Sequence, residues 1–87
     1  MRFKVTYVGD EVEYYDSIEE LKNALSRTEK VVLDIEFKDR HGIEWICSYI
    51  FGTGFTIEPK NRKLEVIEVI PSLNLALKVI EGLVRKR

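Results

Sequence analysis

The sequence is short of almost every residue that announces a function. Its 87 residues hold one cysteine, one histidine, one tryptophan and two prolines, and glutamine is missing altogether. A lone Cys47 excludes an intramolecular disulfide and agrees with a reducing compartment. Charge of one sign is also lacking: 14 basic and 15 acidic residues leave a net charge of −1. No global positive field therefore invites nucleic acid or an anionic membrane. No apolar run approaches the roughly eighteen residues of a membrane span, and the N-terminus lacks a signal peptide's apolar core. The expectation is a cytoplasmic protein with no membrane contact. A Walker loop, a dinucleotide fingerprint and zinc-ligand spacing are all missing. The glutamine-free balance, rich in Glu, Lys, Ile and Val, resembles that of thermophilic proteins.

What is present is patterning for one α+β domain over residues 1–87, long enough to bury a core without staples. Val31, Leu33, Ile35 and Phe37 alternate with Val32, Asp34, Glu36 and Lys38, as a half-buried strand requires. After Arg40-His41-Gly42 the alternation resumes from Ile43. A three-residue loop closed by Gly42 in the left-handed conformation sets Phe37 opposite Trp45, Ile35 opposite Cys47 and Lys38 opposite Glu44. A loop one residue shorter would mix polar and apolar groups on each face, so the pattern selects three. The apolar parity continues through Thr53, Phe55 and Ile57, which predicts one long central strand bent at Gly52 and Gly54. A last strand, Lys63 to Ile70, is expected to set Ile57 opposite Leu64 and Phe55 opposite Val66, with Ile67 and Val69 beside the two glycines.

Toward the N-terminus, Phe3, Val5 and Tyr7 alternate ahead of Gly9-Asp10, a two-residue hairpin turn that pairs Tyr7 with Val12 and places Tyr15 against Lys4. Ser17 with Glu20 three places on is a capping box, and Ile18, Leu21, Ala24 and Leu25 make a single helical stripe behind it. Pro71 introduces a second helix, Ser72 to about Val84, that is apolar over more than half its circumference. The expected order is β-β-α-β-β-β-α in an antiparallel sheet with two helices.

Candidate chemistry is sparse. Asp39, His41 and Glu44 surround one turn, but a metal needs three or four convergent ligands and a second shell, and the register gives Glu44 to Lys38. Cys47, between Trp45 and Tyr49, reads as a small buried hydrophobe. Gly52-Thr53-Gly54 opens no helix and reads as a bend. No catalytic residue, metal or cofactor is assigned, and the chain reads as non-enzymatic.

Two surfaces remain. Val32, Ile46, Ile50, Ile67 and Val69 form a branched aliphatic patch on the second sheet face, and Leu75 and Val79 widen the last helix. Bare, these would be buried by a second copy of the chain, so a homodimeric interaction or regulatory module is the leading reading. Exposed sheet edges offer strand addition by a protein partner as a further route. The alternative is nucleic-acid binding through Lys60, Arg62 and Lys63 at one turn and Arg85, Lys86 and Arg87 at the terminus. From Ser17 onward the α-β-β-β-α order resembles that of a double-stranded RNA-binding domain, which would imply recognition of RNA shape and phosphates. That family's Lys-rich start to its last helix has no counterpart, because Pro71-Ser72-Leu73-Asn74-Leu75 carries no positive charge.

Overall fold

A computed structural model describes residues 3–62 and 68–85. The elements run β1 (Phe3–Tyr7), β2 (Val12–Tyr15), α1 (Ile18–Arg27), β3 (Val32–Lys38), β4 (Glu44–Ile50), β5 (Gly54–Pro59) and α2 (Leu73–Val84). This is the expected α+β order. The strands form one antiparallel sheet in the order β2-β1-β3-β4-β5.

The β3–β4 hairpin has the register that the alternation predicts. Phe37 pairs with Trp45, Ile35 with Cys47, Asp34 with Ser48 and Lys38 with Glu44. Asp39 N–H bonds the Ile43 carbonyl at 2.9 Å, and Gly42 closes the loop at φ +83°. Only glycine adopts that backbone without steric cost.

The long bent strand is instead two strands. The chain reverses over 51–53, Thr53 N–H bonds the Ile50 carbonyl at 2.9 Å, and β5 returns along β4 with Tyr49 opposite Phe55 and Cys47 opposite Ile57. Gly52 at φ +76° and Gly54 at φ +147° supply the reversal. Parity makes the two arrangements indistinguishable in the alternation. A three-residue loop returns odd positions to the face they left, so a hairpin and a bend carry the same alternation.

Three further registers differ from expectation. At the first hairpin the loop is Val8-Gly9-Asp10, with Tyr7 N–H on the Glu11 carbonyl at 2.8 Å and both Gly9 and Asp10 at positive φ. The added residue turns Tyr15 to the core side opposite Phe3 and sends Val12 and Tyr14 to the other face. In β3 the pairing with β1 slips between Thr6↔Asp34 and Tyr7↔Val32, leaving Leu33 as the bulged residue. The alternation therefore inverts before Leu33: Val32 is buried and Val31 is half exposed. Finally, Phe55 bridges Ile70 rather than Val66. The expected pairing of Ile57 with Leu64 and the position of Ile67 lie outside the described residues, whereas Val69 does lie beside Gly54.

Both helices begin on the caps that the sequence provides. Ser17 Oγ accepts from Glu20 N–H at 3.1 Å, the Glu20 carboxylate accepts from Asp16 N–H at 3.1 Å, and Ser72 Oγ accepts from Leu75 N–H at 3.2 Å. Ile18, Leu21 and Leu25 of α1 and Ala76, Leu77, Ile80 and Val84 of α2 join one core with Phe3, Val5, Tyr7, Ile35, Phe37, Cys47 and Phe55. Each fully buried aliphatic contributes about 1.5–3 kcal/mol. The helices lie side by side, tied by Lys22–Glu81 at 3.3 Å and Arg85–Glu19 at 2.6 Å. They occupy the same side of the sheet, and among the described residues the other side carries no helix.

Candidate interaction surface

The β3–β4 turn is held from within. Asp39 is buried, its Oδ1 accepts from His41 N–H at 2.8 Å and Ile43 N–H at 3.0 Å, and its Oδ2 accepts from Trp45 Nε1–H at 2.8 Å. Burial opposes ionisation there, but the Trp45, Ile43 and His41 donors together outweigh it and hold the carboxyl below its ordinary value. Both oxygens are thus engaged in shaping the turn. Arg40 carries the hairpin to the end of α2, bonding the Leu83 carbonyl through its N–H at 3.0 Å and the Gly82 carbonyl through Nη1 at 2.8 Å. These are carbonyls that a helix terminus leaves without internal partners. No group of three or more potential metal-binding side chains occurs among the described residues.

Cys47 is fully buried between Ile35 and Ile57, and burial pushes its thiol up to about 12. A thiol so placed packs and does not ionise at neutral pH. A cleft of about 790 Å³ opens between the start of α1, the β3–β4 turn and the end of α2. Its arginines are engaged: Arg85 holds Glu19 and Glu81, each at 2.6 Å, and Arg40 holds α2.

The candidate nucleic-acid contacts are divided. Lys60 bonds Glu36 at 2.5 Å and Arg85 is paired twice, whereas Arg62 is exposed. Lys63, Lys86 and Arg87 lie outside the described residues. The candidate dimer residues do not form one patch either. Val32 is core, Ile46 and Ile50 lie on the helix-free side, Val69 sits at the β4–β5 turn, and Leu75 and Val79 are on α2, about half exposed.

The helix-free side is read directly from the registers. One row across the sheet is Tyr14, Lys4, Glu36, Ile46 and Glu58, and the next is Val12, Thr6, Asp34, Ser48 and Thr56. Glu36 sits between Lys60 and Lys4, the latter at 3.8 Å. Asp34 is less well provided: its Oδ1 is buried without a hydrogen-bond donor. Burial raises its pKa, against the pull of the Thr6 hydroxyl and of Lys4 and Lys60. Val12 and Tyr14 are 41% and 52% exposed on this side, and sequence reasoning missed both. Treating Val8-Gly9-Asp10 as a loop of three would have found them. On the helix side of β2, Tyr15 donates to Glu13 at 2.7 Å, and this bond chiefly holds the Glu13 carboxyl below its ordinary value.

Compared with known proteins, the chain matches no family model, no curated protein and no solved structure. No helix among the described residues is long and apolar enough to cross a membrane.

Proposed function

We propose that the protein is a small non-enzymatic interaction module that works as a homodimer, the second copy meeting a part of the sheet that the helices leave uncovered, its helix-free face or its β2 edge. The observation that carries this reading is the layering. With α1 and α2 on one side, Val12, Tyr14, Ile46 and Ile50 stand on the other, and no element among the described residues lies over them. Val12 and Tyr14 on β2 and Ile46 and Ile50 on β4 flank the polar rows of β1 and β3; exposed apolar side chains rimmed by polar ones mark a protein contact, and isologous pairs are the commonest assemblies. Mixed charge on the same side, Lys4 and Lys60 against Asp34, Glu36 and Glu58, suits a self-complementary surface and repels an acidic polymer less than it fails to attract one. Lys60 and Arg85 already hold acidic partners, which argues against a phosphate-binding role for them. Sedimentation equilibrium of the purified chain tests the reading. A concentration-dependent dimer is expected, and a monomer throughout the high-micromolar range overturns it.

A further inference from the structure

The sheet ends in two unlike edges. The β5 edge is engaged at Phe55, whose N–H and C=O both bond Ile70 at 2.7 Å, and the strand stops at Pro59. The β2 edge has neither device. It reads Val12-Glu13-Tyr14-Tyr15, without lysine, proline or bulge; its only protections are its shortness and the charge of Glu13 on the helix side, which Tyr15 already engages. Hydrogen bonding alternates along an antiparallel ladder. Because Tyr7 bonds Glu11, and Val5 and Phe3 lie opposite Glu13 and Tyr15, those two residues turn their backbone groups inward to β1. The N–H and C=O of Val12 and Tyr14 therefore point outward, and no partner meets them among the described residues.

We propose that this edge pairs with the same edge of a second copy, β2 running antiparallel to β2 about a twofold axis perpendicular to the sheet. The inference rests on the homodimer reading and names its contact. Three registers join outward groups to outward groups while keeping all helices on one side. In the first, Val12 faces the partner subunit's Val12 and Glu11 faces the partner subunit's Glu13; in the second, Glu13 faces the partner subunit's Glu13, and like charges directly opposite destabilise a sheet. In the third, Tyr14 faces the partner subunit's Tyr14 on the helix-free side, and Glu13 faces the partner subunit's Tyr15 on the helix side. Each carboxylate then lies between two phenols, its own Tyr15 at 2.7 Å and the partner's. Charge selects the third register. In the layer above, α1 turns Glu19 and Lys22 toward α2, so the flank toward the β2 edge is the one that carries the small Ala24, which leaves room for a second helix. A four-residue edge is roughly 14 Å long. That is small for a stable interface, and association in the micromolar range is expected.

Sedimentation equilibrium from about 10 to 500 μM, together with amide exchange at both ends of that range, decides the matter. Tyr14→Pro removes only an outward N–H, a change that edge strands tolerate. It is expected to weaken association at least ten-fold, while Ile46→Glu and Ile50→Glu leave it unchanged. The Val12 and Tyr14 amides are expected to exchange more slowly at high concentration than at low. Association retained in Tyr14→Pro but lost in Ile46→Glu overturns the edge contact and leaves the homodimer reading standing. A wild-type monomer at every concentration overturns both. Should Tyr14→Pro lack native circular dichroism, Tyr14→Lys takes its place, and concentration-independent exchange of the two wild-type amides overturns the contact without any variant.

Discussion

Adding one methyl group at Gly54 is expected to cost far more than adding it two residues earlier. Gly54 sits at φ +147°, and a Cβ there would run into the Ile70 carbonyl oxygen, with the Ile70 carbonyl carbon and Val69 Cγ1 each at 3.1 Å. The obstruction is backbone, so no rotamer change relieves it. The backbone strain alone is worth about 1–3 kcal/mol. Moving residue 70 away breaks the two bonds between Phe55 and Ile70, each 2.7 Å long, at about 1 kcal/mol apiece. Gly54→Ala should therefore destabilise the domain by roughly 3–5 kcal/mol, a large part of the 5–15 typical of such domains. Gly52, at φ +76°, has nothing within 4 Å of a built Cβ. There the left-handed cost of about 1–2 kcal/mol is offset by about 0.4–1 kcal/mol of lost unfolded-state entropy. Urea unfolding followed by Trp45 fluorescence gives both numbers on one scale. A Gly54→Ala protein within 1 kcal/mol of Gly52→Ala, with its Phe55 and Ile70 amides still protected, would refute the reasoning.

Other outcomes follow from the polar groups. Asp34→Asn should stabilise the protein at pH 7 in urea melts, since it removes the negative charge that burial penalises at this position while keeping the side chain's size. The raised folded-state pKa of Asp34 means the native chain takes up the proton first, so the wild type gains stability as pH falls through that raised value toward the ordinary aspartate range. The gap between the two proteins should accordingly narrow on acidification, and a gap that widens contradicts the assignment. Asp39→Ala strips the acceptor from three donors and should cost about 2–4 kcal/mol by thermal or urea melting. The lowered pKa of Asp39 keeps its own contribution intact above the ordinary aspartate value, with loss only as pH falls through the lower folded value. Cys47 should resist Ellman's reagent in native buffer and react once urea is added; brisk native labelling would show that it is not the packed residue described.

How far the fold could be read in advance depended on what side-chain chemistry reports. The β3–β4 hairpin was legible residue by residue because Gly42 and two clean faces permit a single register. Ser17 and Ser72 announced the helix starts for an equally local reason: a short hydroxyl side chain meets a backbone donor in the first turn. Parity hid the reversal at 51–53, where the same faces result from a bend or a hairpin. The bulge at Leu33 was hidden for a different reason, since its cause is the demand of β1 on the far side, which brings Val32 in under Tyr7. The interaction surface was the least legible part. Val12 and Tyr14 look like core residues under a two-residue turn and fall on the helix-free face under a loop of three. Hydrophobicity alone groups Leu75 and Val79 with Ile46, and only the placement of both helices on one side separates them.

The three hairpin connections, 8–10, 40–42 and 51–53, share one length, and that sameness constrains how the gene can drift. Inserting a single codon in any of them would rotate the whole downstream strand, trading its oily rank for its wetted one, while a pair of codons would merely lengthen a surface bump. Variation among descendants of this chain should therefore favour loop lengths that change in twos, with odd-sized changes tolerated only where a compensating bulge arises nearby.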